Sequence, residues 1–374
     1  MNCLEEEFLA MKGFIVVGFI VWFFLVSLIF NKFAYEINQF NAKFRNLLIH
    51  KKFNIIEFDE NGFPYNFSPK YRDKFISPFY VVHYGIVYSE FYKKRYDYHN
   101  LHWNFEETLE LWDKKAMKTE KDFIPLCDWI VQNIKKINGK FHLIYDFDWI
   151  YKGYPNNLIR APWYSGLTDA YSLILLLRAY DITKDVKYLE AADKLYISSI
   201  SPISEGGSLN FLDGKPWIEE YVDPRIDDYK KLPYVLNGMI YATYGIMAYE
   251  KFRNVKNGYS LKLLESIFYN LEKFYNNGWS YYDLIKTSAN LKYHRIHRGL
   301  LAELIGLVRE GYFEIDRNLL DKAEKILVAW NKSCDNLGLY YILYGERSFT
   351  YWHFLASYIF VLLSYWPLGL KLVL

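Results

Sequence analysis

Four short blocks of this chain carry residue types that move protons or meet anions. Tyr293-His294-Arg295-Ile296-His297 packs a phenol, two imidazoles and a guanidinium just ahead of a long apolar run. Tyr293 and His297 are four apart, so a helix would put them on one face. His294 and His297, three apart, offer two nitrogens to a metal, but no further ligand set accompanies them. Upstream, Trp279-Ser280-Tyr281-Tyr282-Asp283-Leu284 reads as a short extended segment in which either tyrosine serves the core or the chemistry. Glu219-Glu220-Tyr221 places two carboxylates between the turn Asp213-Gly214-Lys215-Pro216 and the acidic loop Asp223–Asp228. Alone, such a pair is a solvated loop. Trp217 and Tyr221 change that reading, because burial by aromatics raises a carboxyl toward the range of a general base. Arg160-Ala161-Pro162-Trp163-Tyr164-Ser165-Gly166 sets a rigid turn at Pro162 before a leucine-rich segment. Its aromatics either line a cleft or staple the entry of a helix.

Taken in chain order, these blocks resemble the catalytic domain of the D-glucuronyl C5-epimerases, which convert D-glucuronic to L-iduronic acid within a polysaccharide. The resemblance spans about residues 79–311 and is densest from Arg160 to Leu304. It implies an active-site Glu220 and Tyr221, a catalytic Tyr282 directly before Asp283-Leu284, and Tyr293 as a second phenolic acid or base. His294 and His297 are then cleft-lining groups. Leu236-Asn237-Gly238-Met239 is also similar to the family, with Asn237 either a helix cap or a sugar contact. Where the eukaryotic enzymes resemble Tyr-Asp-Leu-Arg, this chain has Ile285-Lys286 after Leu284, a point charge in place of a bidentate clamp. The implied substrate is a uronic-acid-containing polysaccharide, with no cofactor and no metal.

Inversion at C5 sets two requirements. The hydrogen lies alpha to a carboxylate, and its removal builds a second negative charge there as an enediolate. The site needs positive charge or strong donors at that carboxylate. It also needs a proton acceptor on one ring face and a donor on the other. Glu220, Tyr282 and Tyr293 answer the second requirement. Arg160, Lys286, His294, Arg295 and His297 are the candidates for the first, with Trp163, Tyr164, Tyr221 and Asn237 lining the cleft. A tyrosine reprotonates the ring easily only if nearby cations lower its pKa from about 10, and the 293–298 cluster is expected to do so.

The elements that must position these groups read as mainly α. Apolar residues recur at helical spacing around Leu126, Trp129, Ile130, Ile134 and Ile137. Further helical runs cover about 166–180, 187–200, 234–252, 260–275, 293–310 and 318–330, paired by short links such as Thr183-Lys184-Asp185. Consecutive hairpins suggest an α/α toroid or incomplete barrel. The expected organisation is a tail at 1–12, an apolar membrane anchor at 13–30, a polar stalk at 31–52, a β- and loop-rich region at 53–120 and an α/α-barrel catalytic domain at 121–374. Positive residues after the anchor favour a cytoplasmic domain, whereas the resemblance implies a lumenal or external one. The apolar stretch 354–370 reads as a buried last helix of the barrel, with a second membrane helix as the alternative.

Composition narrows the field. A net charge of +2 over 374 residues carries no basic field for nucleic acid. Aromatics reach 20%, with 36 Tyr, which suits an aromatic core and equally a sugar-stacking cleft. Cys3, Cys127 and Cys334 form neither a disulfide framework nor a zinc motif. A homodimer is kept open. Three rivals to the epimerase remain. A polysaccharide lyase forms the same carbanion and expels the O4 substituent. A glycoside hydrolase needs two carboxylates across the bond, with Asp169 as one source of the second. A membrane-tethered glycan-binding protein needs no turnover at all.

Overall fold

The computed structural model describes residues 3–51, 56–67, 74–96, 122–335 and 355–364. It is mainly helical, with a few short strands. Helix α1 (Cys3–His50) is followed by a small hairpin of β1 (Ile56–Phe58) and β2 (Pro64–Asn66), then by α2 (Pro78–Tyr96). Helix α3 (Ile124–Asn133) leads into β3 (Ile134–Ile137) and β4 (Lys140–Tyr145). The strands β5 (Trp149–Ile150), β6 (Leu158–Ile159) and β7 (Trp163–Tyr164) precede α4 (Gly166–Thr183) and α5 (Val186–Ile200). A hairpin of β8 (Leu209–Leu212) and β9 (Lys215–Ile218) separates these from α6 (Leu236–Arg253) and α7 (Ser260–Asn270). Short strands β10 (Tyr275–Asn276) and β11 (Trp279–Ser280) introduce α8 (Leu291–Arg309) and α9 (Arg317–Asp335).

The helices pack as two rows. Helices α2, α4, α6 and α8 neighbour one another in that order, and α3, α5, α7 and α9 back them as partners. The inner pair α4 and α6 carries the core. Leu173 to Leu177 are all fully buried, and so is Leu236 to Met239 apart from a trace of Asn237. Each such leucine or isoleucine contributes roughly 1.5–3 kcal/mol relative to exposure. The two helices approach closely because α6 carries Gly245 where a side chain would run into the Ala170 backbone of α4.

Local signals fix the helix ends. Ser165 caps α4, its hydroxyl accepting from the Thr168 amide, and Lys184 ends the helix in the left-handed region at φ 58°. Asp185 caps α5 in the same way. Glu250 holds the start of α7, its carboxylate accepting from the amides of Tyr259 at 2.6 Å and Ser260 at 2.9 Å. The expected helical pairs thus appear with the expected links.

Two expectations are corrected, and a third finds no support. Ile134 and Ile137 do not continue a helix; they are the two ends of strand β3. Asn138 and Gly139, at φ 47° and 85°, turn the chain back so that Ile137 pairs with Lys140. The stretch expected to be a buried last helix is helical over residues 355–364, but Leu355, Tyr358, Leu362 and Leu363 are well exposed. Ser357 and Val361 are buried, and Phe360 stacks on Trp22 at 5.6 Å. The expected anchor at 13–30 forms the middle of the 48-residue α1. Among the described residues no helix is long and apolar enough to cross a membrane, so the anchor has no support; the side chains of Ser27 and Phe30 within it lie outside the described residues. The part of the expected β- and loop-rich region from 97 to 120 likewise lies outside them.

Candidate active site

Strand β9 ends at Ile218, and the next two residues point their carboxylates in opposite directions. Glu219 is fully buried and accepts from the Asn210 side-chain amide at 3.0 Å. That amide also meets the Tyr234 hydroxyl at 3.1 Å. Glu220 turns the other way, toward a group of tyrosines. Its Oε2 is buried and reaches no hydrogen-bond partner within 3.5 Å. A side chain at position 238 would collide with this carboxylate, so the glycine of α6 makes the space Glu220 occupies.

Four phenols surround that space. The Tyr221 and Tyr282 hydroxyls are 3.4 Å apart. The Tyr151 ring lies 5.0 Å from Tyr221 and 6.5 Å from Tyr282. Tyr293, on the first turn of α8, meets Tyr282 edge-on at 4.8 Å. All four are partly exposed, so a ligand reaches them from solvent. Tyr151 donates a short hydrogen bond to Asp283, which also accepts from the Thr287 amide at 3.0 Å. Trp163 closes one side, 5.8 Å from Tyr221, stacked on Tyr145 at 3.9 Å and anchored by its indole N–H to the Phe147 carbonyl.

Burial sets the proton chemistry of this cluster. It raises Glu220 to about 7, with the Tyr221 hydroxyl opposing the shift and the Asp283 charge adding to it. A carboxyl so placed is part ionised near neutrality, as a general base should be. Burial raises Glu219 further, to about 8, against the Asn210 hydrogen bond. The phenols go up as well. Burial, then the neighbouring charges of Glu220 and the other phenols, push Tyr221 and Tyr282 well above the usual range, and Tyr293 and Tyr151 follow. The expected lowering of the Tyr282 phenol by cations is therefore overturned. The cations of the 293–298 block face elsewhere, and the charge closest to Tyr282 is that of Glu220.

The three catalytic candidates, Glu220, Tyr282 and Tyr293, come together, and Tyr221 and Trp163 join them. The other binding candidates divide. His297 is fully buried behind Tyr282, ring to ring at 6.4 Å, and burial holds it neutral, its pKa lowered to about 3. Its Nε2 lies 3.5 Å from Asn237 Oδ1, so Asn237 supports the back of the site; Val235, not Asn237, takes the cap position of α6. His294 belongs to the core. It lies flat on Trp279 at 3.8 Å, with Ser280 and Ser333 hydroxyls on its two nitrogens at 2.9 and 2.8 Å. Ser280 also meets His297 Nδ1 at 2.9 Å, so the two imidazoles share a hydroxyl rather than a metal. Among the described residues no cluster of three or more His, Cys, Asp or Glu side chains could hold a metal ion.

Four candidates sit outside the cluster. Tyr164 is turned away by strand alternation from Trp163 and stacks on His142 at 3.7 Å, its hydroxyl on the Gly207 carbonyl. Arg160 is exposed, and its carbonyl accepts from Arg225. Lys286 is exposed at φ 64°, its ammonium donating to the Lys273 carbonyl. Arg295 lies on the α9 side of α8, where its charge acts on Cys334. Asp169, the second acid a hydrolase would draw on, is fully buried, bonded to His142 at 2.7 Å and to the Leu143 amide at 2.9 Å.

Tyr151 and Asp283 were not singled out from the sequence as site residues. Tyr151 lies in a loop of ordinary composition, and only the fold carries it across to residue 283. Lys292 is a further addition, its ammonium 6.0 Å from the Tyr293 ring centroid.

Residues 139–320 match the family model described as D-glucuronyl C5-epimerase C-terminus. The chain is also 27% identical over 234 residues to an uncharacterized protein of Methanocaldococcus jannaschii, covering 58% of this chain and 74% of that relative.

Proposed function

With residues 139–320 belonging to the D-glucuronyl C5-epimerase C-terminal family, we propose that this chain inverts C5 of D-glucuronic acid within a polysaccharide. The observation that carries the reading is Glu220: a carboxyl raised by burial to about 7 and set among four phenols. In its ionised form Glu220 removes the C5 proton from one face of the uronate. The electron pair moves into the adjacent carboxylate as an enediolate. A phenol on the opposite face, Tyr282 or Tyr293, then delivers its proton to C5. Glu220 is left protonated and the phenol ionised, and the proton returns between them along the Tyr221–Tyr282 contact. Nothing is consumed, so the step runs in both directions.

The raised phenols suit this role as donors. Fully protonated at neutral pH, they offer O–H groups to the developing enediolate without ionising in the resting site. They stand where the sequence offered Arg160, Lys286, His294, Arg295 and His297 for the carboxylate, and Lys292, beside Tyr293, supplies the nearest positive charge among the contacts described above. Within this reading the two helical rows curve as part of an α/α toroid, with the cleft at the end where β9, β11 and the start of α8 meet.

The test is hydrogen exchange at C5. The chain is incubated with an unsulfated glucuronic acid–hexosamine polymer in D2O and deuterium is read by NMR. The expected result is deuterium at C5 with new iduronate signals, both lost in Glu220→Gln with the fold retained. Unsaturated ends absorbing in the ultraviolet would identify a lyase instead. Exchange in Glu220→Gln at the wild-type rate would remove Glu220 as the base.

A further inference from the structure

Glu220 lies just past the end of β9 at Ile218, so no regular element holds it. Its backbone is strapped from both sides instead. The Glu219 amide donates to the Ser208 carbonyl at 3.0 Å, and the Glu219 carbonyl accepts from the Gly166 amide at 3.1 Å. Beyond Tyr221, Val222 and Tyr164 exchange both backbone hydrogen bonds, at 3.0 and 3.1 Å. These straps are close: a Cβ at Gly166 would fall 2.5 Å from the Glu219 carbonyl oxygen and 2.6 Å from the Ser208 side chain. Glu220 is therefore set by two supports distant in sequence, the entry of α4 at 164–169 and the turn at 206–208.

One side chain joins those supports. His142, on β4, is fully buried, with Nδ1 2.7 Å from Asp169 Oδ2 on the first turn of α4 and Nε2 2.8 Å from the Gly206 carbonyl of the turn. Tyr164 lies flat on its ring at 3.7 Å, and the Tyr164 hydroxyl donates to the Gly207 carbonyl at 3.0 Å. A carbonyl oxygen only accepts, so Nε2 carries a hydrogen. Asp169 Oδ1 accepts from the Leu143 amide at 2.9 Å, and the bond between Nδ1 and Oδ2 needs a hydrogen of its own. A neutral imidazole against an ionised carboxylate would leave two lone pairs facing each other in a dry interior. The pair therefore keeps one proton on the line between Nδ1 and Oδ2. Burial, which raises the Asp169 carboxyl against the opposing effect of His142, acts in the same direction.

Resting on the epimerase reading for the reaction they serve, we propose that His142 and Asp169 are positioning residues for Glu220. They act through the backbone and not on the sugar. Their hydrogen bonds fix the α4 entry against the 206–208 turn, and the spacing of those two supports decides where the Glu219–Glu220 peptide lies. Filling the same volume with apolar side chains would leave the turn free to slide on α4.

The experiment uses the full chain and three variants, each checked for folding by circular dichroism. Asp169→Asn puts an amide N–H in place of the shared proton and keeps an oxygen for the Leu143 amide, so all three hydrogen bonds survive. His142→Phe/Asp169→Asn keeps a ring on Tyr164 and buries no charge, but cuts the tie to Gly206. Tyr164→Phe is a milder cut at the same turn, removing only the bond to Gly207. Two quantities are read: kcat and KM in the C5 exchange assay, and the titration midpoint of the Glu220 carboxyl by NMR of glutamate-labelled chain, assigned with Glu220→Gln. In the double variant kcat is expected to fall about tenfold while KM changes less than about twofold. The Glu220 midpoint is expected to drop from about 7 toward the ordinary 4.5 as the carboxyl gains water. Tyr164→Phe should move both quantities the same way by less, and it decides the matter if the double variant does not fold. Asp169→Asn should match wild type in both. A folded double variant with the wild-type kcat and Glu220 midpoint overturns the proposal, as does Asp169→Asn impaired as far as the double variant. The NMR midpoint does not depend on the reaction. A midpoint that shifts in a chain showing no exchange keeps the positioning and removes the epimerase; exchange that no variant alters does the reverse.

Discussion

Two consecutive glutamates share one peptide bond and hold different positions in the proton economy of the protein. Glu219 is bonded to Asn210 at one oxygen and Glu220 sits among the phenols, and the second oxygen of each is buried without a hydrogen-bond partner. If Glu220 is the base, kcat/KM rises with pH through about 7 as its carboxyl ionises. A pH–rate profile flat from 5 to 8 would exclude it. The same shifts bear on stability. Both folded-state values lie above the ordinary 4.5, so between 4.5 and about 8 the native state holds more protons than the unfolded chain. Stability from these groups is full below 4.5 and falls as pH rises through 7 and 8. Glu219→Gln should therefore resist urea better than wild type at pH 8.5 and match it at pH 4.5. Equal midpoints at pH 8.5 would mean that Glu219 is not buried as described.

At the scale of elements, the start of α8 is fixed to β11 by one hydroxyl. Ser280 meets both His294 and His297, and His297 backs Tyr282. Ser280→Ala leaves two buried imidazole nitrogens unsatisfied, at a cost of about 1–3 kcal/mol each. Chemical denaturation should register this, and turnover should fall more than substrate affinity, since Tyr282 loses its backing. Unchanged stability would show that the imidazoles find other partners. This element also marks the limit of what the sequence made legible. The Tyr-His-x-x-His spacing was readable as a helix start bearing a phenol and an imidazole on one face, and Tyr293 and His297 do sit there. That His294 would lie between two indoles was not readable, because Trp279 and Trp330 reach it from other elements. The cations lie near the site along the chain but not beside it: Arg160 and Lys286 sit in exposed loops, and helical phase turns Arg295 toward α9. Ile134 and Ile137 kept helical spacing across a hairpin, because the decisive signal there was Asn138-Gly139 and not the apolar period.

For the whole molecule, the rows of helices were legible from pairing and link length, while the seam between α2 and α4 was not. Arg178 of α4 is fully buried and donates to Ser89 and Glu90 of α2, at 2.6 and 2.7 Å. Arg178→Ala strands the Glu90 charge in a dry seam and should cost about 3–5 kcal/mol. Arg178→Met/Glu90→Leu, which removes both partners, should recover most of that in a thermal melt; if the double variant is no better than the single, the pair is not what joins the rows. The tyrosine ring, finally, is assembled from residues 151, 220–221 and 282, in three separate links between helices, and from Tyr293 at the start of α8. A growing chain on the ribosome buries α4 against α5 long before Tyr293 is made. If that ring is where the chemistry happens, a fragment that stops short of α8 folds in part, lacks Tyr293 and shows no C5 exchange.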